Sequence, residues 1–280
     1  MSRVPPEAPG TIEVLRQAGS ENFPVASPLF PAHLRPHLMN IYGFARLVDD
    51  IGDEAAGDRA TLLDWLDSEL DAVYARGRPH HPLMERLAQT VGRFDLPRAP
   101  FDKLVQANRQ DQVVNRYATF KDLAAYCALS ANPVGELVLR ICGAASTERL
   151  RLSDSVCTGL QLVEFWQDLG EDSAKDRVYV PLEDLNRFGV GVDELMAGEG
   201  GEPFLRLMRF EAERTRELLV QGRVLGRTFR GRLSWAIRMF AAGGLAALAD
   251  LERRGFEGRG GSVRASRASR AWTLLREAVR

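Results

Sequence analysis

Apolar residues recur at spacings of three and four along almost the whole of this 280-residue chain, and the strict alternation typical of a surface strand is scarce. Side chains at this spacing share one face of an α-helix, so the pattern predicts a helical protein. Turn residues and caps place the expected helices near residues 11–18, 32–52, 59–76, 83–94, 100–116, 120–129, 133–144, 148–174, 182–187, 203–226, 230–255 and 264–279.

Local signals set several of these boundaries. Asp58 stands where an N-cap is needed, and the Asn132-Pro133 pair predicts a break between two helices. No repeat, long linker or shift in composition divides the chain. We therefore expect a frayed start over residues 1–10, followed by a single all-α domain over residues 11–280.

Composition excludes several classes of protein. A net charge of −1 offers no general attraction for nucleic acid, so no nucleic-acid partner is expected. The longest strongly apolar stretch, Phe240–Leu248, is too short to span a bilayer, and the proline-rich start does not resemble a signal peptide. The three cysteines form no CxxC motif, which predicts buried thiols in a reducing cytosol: Cys127, Cys142 and Cys157.

Two acidic clusters stand out from this helical background. One contains Asp49, Asp50, Asp53 and Glu54, and the other contains Asp168, Glu171 and Asp172. Each includes aspartates four residues apart, which repel one another on a helix unless a cation lies between them. Mg²⁺ is commonly bound by one or two carboxylates together with substrate phosphates. The clusters therefore predict two helix faces, opposed across a cavity, that bind a diphosphate through several magnesium ions.

The first cluster belongs to a longer polar stripe. Tyr42, Arg46, Asp49 and Asp53 follow one another at intervals of four, three and four, so they share a helix face. Arginine can bind the diphosphate directly while the aspartates bind metal, and Asp50 is turned away to a supporting position. The alternative is a solvated helix end with an Arg46–Asp50 ion pair, although acidic residues there oppose the helix dipole.

The second cluster has the same arrangement. Gln161, Glu164, Asp168 and Asp172 repeat at intervals of three, four and four within a helix that is otherwise rich in large apolar residues. Carboxylates on a largely buried helix require either partners or metal ions. Pairing with arginines elsewhere in the chain is the alternative, but two such aspartate pairs favour a shared metal site.

Three further residues are candidates. Arg177 could reach the same diphosphate, although a surface arginine is an equal alternative on local sequence. Tyr126 could stabilise a cation or donate a hydrogen bond, whereas a core tyrosine is the commoner case. Asn132 lies at the helix break, where an interrupted helix leaves space in a cavity wall. The chain carries no Glu-x-x-His signature, Gly-rich phosphate loop or dinucleotide fingerprint.

Three segments together resemble the squalene/phytoene synthase family: residues 42–53, 160–168 and 177–181. The resemblance covers roughly residues 20–275 and implies an all-α isoprenoid synthase bundle with a central apolar cavity. It implies that Asp49, Asp53, Asp168 and Asp172 bind metal and act in catalysis, with Glu164 as a further ligand where many members have asparagine. It also implies substrate-binding roles for Phe23, Tyr42, Arg46, Asn132, Gln161, Arg177 and Tyr179, and a catalytic role for Tyr126.

Residues 21–27 and 129–135 are similar to the hydroxysqualene synthase subgroup of bacterial hopanoid pathways. That likeness implies a lyase that converts presqualene diphosphate and water to hydroxysqualene and diphosphate, with two or three Mg²⁺ ions and no nicotinamide. Alternatives are a squalene, dehydrosqualene or phytoene synthase, which would be a prenyltransferase, and a non-catalytic helical scaffold. Presqualene diphosphate synthase is the implied functional partner.

The expected location is the cytoplasm, with at most weak peripheral association at the inner membrane face. Residues 253–280 hold eight arginines and an apolar set around Trp272, which could attach to anionic lipid. The favoured interpretation is that this last helix packs on the bundle with solvated arginines, Arg264 approaching the diphosphate. Any binding to anionic vesicles should then be weak and lost at moderate salt.

Overall fold

The computed structural model describes residues 4–16, 27–75, 77–198 and 201–256, and these ranges are almost wholly helical. They contain no β-strand, only an isolated parallel bridge between Arg116 and Val178, so the all-α prediction is confirmed. The helices are α1 Thr11–Arg16, α2 Arg35–Asp53, α3 Arg59–Tyr74, α4 Pro82–Phe94, α5 Ala99–Gln110, α6 Phe120–Ser130, α7 Asn132–Ile141, α8 Thr147–Gln167, α9 Leu169–Ala174, α10 Leu182–Phe188, α11 Val192–Met196, α12 Gly201–Arg227 and α13 Gly231–Arg253.

The described helices group into two compact units. The first comprises the chain up to Val113 together with Leu129–Leu150, and the second comprises Val114–Ala128 together with the chain from Arg151 onward. The boundaries fall inside α6 and α8, so neither unit is a continuous piece of sequence. The single domain and its central apolar cavity stay predictions.

Helix α2 organises the first unit, because α1, α3, α4, α5 and α7 all pack against it. Its core face is almost fully buried through Phe44, Leu47, Val48 and Ile51. The Phe44 ring meets Phe101 of α5 edge to face, with 5.1 Å between ring centroids. This packing fixes the rotation of α2 and leaves its opposite stripe to the polar residues.

Two predicted boundaries in this part of the chain are confirmed. Asp58 caps α3, since its Oδ1 accepts hydrogen bonds from the backbone N–H groups of Ala60 at 3.0 Å and Thr61 at 3.2 Å. The break before Pro133 is also present, because α6 ends at Ser130 and α7 begins at Asn132. Proline fits the first turn of a helix, where its missing N–H costs no hydrogen bond.

The second unit is built on α8, α12 and α13. The indole Nε1 of Trp166 in α8 donates to Thr215 Oγ1 in α12 at 2.9 Å, which joins the two helices inside the core. Gly222 of α12 lies against Val156 of α8, where an added Cβ would collide with a valine methyl and lie 3.1 Å from the valine N. The close approach of α8 and α12 therefore requires glycine at this position.

The structure corrects two of the predicted helices. The helix expected over 100–116 ends at Gln110, because the chain around Arg116 is extended to pair with Val178. The helix expected over 148–174 bends at Asp168, where φ is −103° and ψ is 15°. Repulsion among the acidic residues that follow, together with Gly170, disfavours a straight helix there.

One short helix, α11, carries no prediction from the sequence, although the Glu194 carboxylate accepts the Gly191 N–H as a capping interaction. The helix predicted over 264–279 lies outside the described residues, as does the arginine-rich segment from residue 257 onward. Across the described ranges, no helix combines the length and apolar character needed to cross a bilayer. Cys127 is buried as expected, whereas Cys142 and Cys157 are half-buried.

Candidate active site

The first polar stripe lies on the accessible side of α2. Tyr42, Arg46 and Asp53 are half-buried and Asp49 is exposed, while their apolar neighbours on the helix are fully buried. The four side chains therefore share a face in the structure, as their spacing requires. Their roles toward metal and diphosphate stay predictions.

The Asp49 carboxylate combines exposure with poor hydration. Its Oδ1 accepts a hydrogen bond from Asn108 Nδ2 at 3.1 Å. Desolvation by surrounding protein raises its pKa to about 7, a shift that the Asn108 bond and Arg46 oppose and that Asp53 and Asp50 reinforce. The carboxylate is therefore reachable by small molecules, although the surrounding protein limits its hydration. A cation that reached it would be strongly favoured by the ionised carboxylate.

Asn108 is positioned by a short network between α5 and α2. Its side chain lies against Gly52, where an added Cβ would collide with Asn108 Oδ1. Gln112 Nε2 donates both to the Gly52 carbonyl at 3.1 Å and to the Asn108 carbonyl at 2.9 Å. The amide therefore reaches Asp49 because glycine leaves room for it and glutamine fixes the adjoining backbone.

Arg46 forms the ion pairs that the alternative interpretation expected. Its Nε lies 2.7 Å from Asp50 Oδ1, and its Nη2 donates to Glu54 Oε1 at 3.0 Å. Asp50 is only 3% exposed, however, so this ion pair is not the solvated one that the interpretation also assumed. A buried carboxylate needs a cationic partner, and Asp50 thus holds Arg46 beside Asp49.

The second polar stripe repeats this geometry in the second unit. Gln161, Glu164, Asp168 and Asp172 are all half-buried, while Leu162, Val163 and Trp166 between them are buried. Gln161 Nε2 donates to Glu164 Oε2 at 3.4 Å. Despite the bend at Asp168, its N–H bonds to the Glu164 carbonyl at 2.9 Å and the Asp172 N–H bonds to the Asp168 carbonyl at 2.8 Å. The stripe therefore stays continuous.

The segment that follows is anchored by residues 115–118. Asp176 adopts φ +57° and ends α9, and its carboxylate accepts from Asn115 Nδ2 at 2.8 Å and Arg116 Nη2 at 2.5 Å. The Val178 N–H donates to the Asn115 carbonyl at 2.9 Å. These bonds place Arg177 in a buried position, with 9% of its surface exposed. The alternative of a surface arginine is wrong.

Four aromatic rings form a cluster in the second unit, which we call the ring cluster: Tyr117, Tyr126, Phe165 and Tyr179. Phe165 and Tyr179 stack with centroids 3.8 Å apart and planes 6° apart. The ring centroid of Tyr126 lies 5.9 Å from that of Tyr179 and 5.4 Å from that of Tyr117. All four are buried, so the ring faces lie in surroundings where a cation–π interaction is strong.

The donor set of the two stripes suits a hard cation. Among the described residues, no three His, Cys, Asp or Glu side chains converge into a ready-made metal site. Mg²⁺ needs only one or two protein carboxylates when phosphate oxygens and water complete its octahedron. Asp49 is reachable and poorly hydrated, which fits such a ligand. The metal-binding roles of Asp49 and Asp53 in the first unit, and of Glu164, Asp168 and Asp172 in the second, stay predictions.

Sequence reasoning missed the supporting residues. Asn108 and Gln112 carry no motif of their own, and only their distance of four on one helix face hints at a joint role. Tyr117 and Phe165 give no sign of joining Tyr126 and Tyr179, because the ring cluster draws on separate parts of the chain. Asn132 opens α7, which packs on α2, whereas Phe23 lies outside the described residues.

Comparisons with known proteins match this arrangement. The model of the squalene/phytoene synthase family matches residues 16–270. A hydroxysqualene synthase of Rhodopseudomonas palustris is 34% identical over 206 residues, which cover 73% of this chain and 70% of that protein. A phytoene synthase of Arthrospira platensis is 30% identical over 233 residues, covering 77% and 75% respectively.

A solved structure agrees in both sequence and fold. The crystal structure of squalene synthase HpnC from Alicyclobacillus acidocaldarius is 41% identical and superposes with a TM-score of 0.80. The match covers 86% of this chain and 92% of that one. With the family model spanning most of the chain and the two polar stripes in place, this protein belongs to the squalene/phytoene synthase family.

Proposed function

We propose that this protein is a hydroxysqualene synthase, which converts presqualene diphosphate and water to hydroxysqualene and diphosphate. The support is the likeness of residues 129–135 to that subgroup and the 34% identity to the protein of Rhodopseudomonas palustris that bears this name. In this reaction the carbon–oxygen bond to diphosphate breaks, the resulting cyclopropylcarbinyl cation rearranges, and one water adds with loss of a proton.

The main support for the proposal is that carboxylates and an aromatic ring lie side by side at the end of α8. Glu164 and Asp168 lie on the accessible stripe at the end of α8, and Phe165 between them belongs to the ring cluster. Residues three apart on a helix are surface neighbours, so Phe165 and Asp168 are adjacent. A diphosphate held at the stripe would therefore leave its cation beside aromatic faces, which stabilise positive charge.

The residues of the chain then have distinct tasks. Arg46 and Arg177 donate charge-assisted hydrogen bonds to the diphosphate, and Asn108 orients Asp49. Bound Mg²⁺, two or three ions in all, supplies the Lewis acidity that neutralises the leaving diphosphate. Buried Tyr126 and Tyr179 exclude bulk water from the cation until it has rearranged. No nicotinamide takes part in this scheme, because water rather than hydride ends the reaction.

A second candidate is head-to-head condensation of two prenyl diphosphates to squalene, dehydrosqualene or phytoene. It is favoured by the 41% identity to a protein named squalene synthase and the 30% identity to one named phytoene synthase. The same stripes and ring cluster would serve that reaction, since it also begins with loss of diphosphate. The two candidates differ in what ends the cation. Water ends it in the first, whereas in the second it gains hydride from a reductant to give squalene or loses a proton to give dehydrosqualene or phytoene.

Incubation with presqualene diphosphate and Mg²⁺ in H₂¹⁸O, followed by mass spectrometry of the lipid, tests the proposal. We expect a C30 alcohol carrying one ¹⁸O atom, in the same yield with and without NADPH. Parallel incubations with farnesyl and geranylgeranyl diphosphate test the second candidate. The Asp168→Asn variant serves as the inactive control.

The other possible outcomes of these incubations would support a different function. A hydrocarbon formed only with NADPH, or from two prenyl diphosphates, would refute the proposal in favour of the second candidate. Failure to release diphosphate from any of these substrates would indicate a helical scaffold without activity. The reaction also requires a supply of presqualene diphosphate, so we propose a cytoplasmic protein that works beside a presqualene diphosphate synthase.

A further inference from the structure

Exposed apolar side chains gather at one end of the hairpin formed by α12 and α13. Of the five large apolar residues that are exposed in the described part of the chain, three lie there: Val220, Val224 and Trp235, at 46%, 43% and 41%. Single exposed apolar residues are ordinary on protein surfaces and need no explanation. Three near one end of a helical hairpin make that end a candidate contact surface.

The same end of the hairpin is strongly basic. Five arginines lie between residues 218 and 249, and that interval contains no aspartate, glutamate or lysine: Arg223, Arg227, Arg230, Arg232 and Arg238. The chain as a whole carries a net charge of −1, so this cluster is a local exception rather than a general property. Arg227, Arg230 and Arg232 are exposed.

Both features lie at the closed end of the hairpin. Val220, Val224 and Arg227 follow at intervals of four and three, so they lie on one face of the last two turns of α12. Ser234 Oγ donates to the Gly226 carbonyl at 2.7 Å, which fixes the start of α13, with Trp235, against the end of α12. The Arg238 guanidinium lies 4.7 Å from the Trp235 ring centroid. We call this end of the hairpin, from Val220 to Arg238, the hairpin tip.

We propose that the hairpin tip docks the protein on a bilayer surface that contains anionic phospholipid. Arginines would bind headgroup phosphates, while Trp235 and the two valines enter the boundary between headgroups and acyl chains, which is the pattern of interfacial binding segments. A second copy of the chain fits poorly, because the two arginine clusters would repel each other. Nucleic acid also fits poorly, because aliphatic side chains gain nothing on a phosphate backbone.

Docking on a bilayer goes beyond the proposed function and is independent of it, since it involves only surface charge and exposed side chains. The test therefore needs no turnover. Sedimentation with vesicles of phosphatidylcholine, with and without phosphatidylglycerol, measures binding of the full-length protein in the absence of substrate. We expect binding only to the anionic vesicles, weakening as salt is raised because screening shortens the field of the arginines.

A matched pair of double variants locates the surface. Arg227→Gln/Arg230→Gln removes two exposed charges from the hairpin tip, and Arg206→Gln/Arg209→Gln removes two exposed charges about 32 Å away near the start of α12. Each arginine near an anionic surface contributes about fivefold to binding, so the first variant should bind about thirtyfold more weakly. The second should bind like the parent. Thermal melting of both checks that they fold.

Fluorescence gives an independent readout. Trp65 and Trp166 are buried, at 6% and 1% exposed. Trp272 lies outside the described residues and can be replaced by phenylalanine, so that Trp235 is the exposed indole among the three that remain. Brominated lipids in the anionic vesicles should then quench Trp235 strongly. In the additional Trp235→Phe variant the quenching should disappear.

Three results would overturn the proposal. The first is an absence of binding to anionic vesicles, the second is equally weakened binding by both double variants, and the third is binding that leaves the fluorescence of Trp235 unquenched. Duplex DNA or RNA that binds the protein and displaces it from vesicles, again without quenching, would show a polyanion site rather than a lipid surface. None of these results bears on product formation, so failure here and failure of the proposed function remain distinguishable.

Discussion

Glu211 should make this protein less stable as the pH rises. It lies on α12 with none of its surface exposed, and its Oε2 accepts from Arg214 Nη1 at 3.1 Å. The same guanidinium binds Asp184 Oδ2 at 2.8 Å, so one arginine serves two buried carboxyl groups. Burial is the main cause that raises the pKa of Glu211 to about 8, with Arg214 opposing the shift and Asp184 adding to it.

The sign of this pH dependence follows from the number of protons bound by the folded and the unfolded protein. In the unfolded chain Glu211 loses its proton near its ordinary pKa of 4.5, while in the folded protein it keeps the proton up to about pH 8. The folded state therefore binds more protons in this window, and the free energy of unfolding falls as pH rises through it. At about 1.4 kcal/mol per pKa unit, the loss between pH 5 and pH 8 is on the order of 3–4 kcal/mol.

Replacing Glu211 by glutamine should remove this slope. The amide keeps the shape of the protonated acid: its oxygen can accept from Arg214 and its NH₂ can donate to Asp184. We expect Glu211→Gln to match the parent near pH 5 and to be more stable at pH 8. The exposed Glu217 on the same helix provides the matched control, since Glu217→Gln removes the same formal charge without changing a buried group.

Urea unfolding followed by far-UV circular dichroism, at a series of pH values from 5 to 8.5, measures the difference. The quantity of interest is the free energy of unfolding of each variant minus that of the parent. For Glu211→Gln this difference should grow with pH, whereas for Glu217→Gln it should stay flat. If the Glu211→Gln difference is also flat, Glu211 is ionised in the folded protein and the reasoning fails.

Four other predictions concern the site and its support. Asp49→Asn and Asp168→Asn should each abolish turnover in a diphosphate-release assay, while helicity and thermal melting stay nearly unchanged. Substantial activity of either variant at saturating Mg²⁺ would rule out the assignment of that aspartate as a metal ligand. Diphosphate release should require Mg²⁺ or Mn²⁺, so full activity in EDTA would contradict a role for hard cations. Arg46→Ala should lower kcat/KM by the equivalent of about 1.5–3 kcal/mol of transition-state stabilisation, and Arg46→Lys should not fully restore it, because lysine keeps the charge but not the bidentate fork. Parental kinetics in Arg46→Ala would show that Arg46 does not touch the substrate. Gly222→Ala should lose about 1–3 kcal/mol of stability in urea, whereas Gly92→Ala, inside α4 where an added Cβ meets nothing within 4 Å, should gain about 0.5–1 kcal/mol, and equal stability of the two would refute the tight contact.

The sequence alone determined the features that depend on near neighbours. Helix type follows from apolar spacing, the start of α3 from Asp58, and the break before Pro133 from the chemistry of proline. The two polar stripes were also predictable, because residues three and four apart share a helix face whatever the helix packs against. The matches to a family of known proteins extend these local patterns to most of the chain.

The surroundings of those stripes depend on contacts between segments that are far apart in the sequence. Asn108 meets Asp49 across 59 positions of sequence, and the ring cluster joins residues from 117 to 179. Glu211 gives no sign in the sequence of being buried, since it stands among charged residues of α12. Helix α5 ends early and α8 bends because distant segments and like charges compete with local helix formation. Such outcomes depend on hydration and packing between helices, and these arise only once the helices have been brought together.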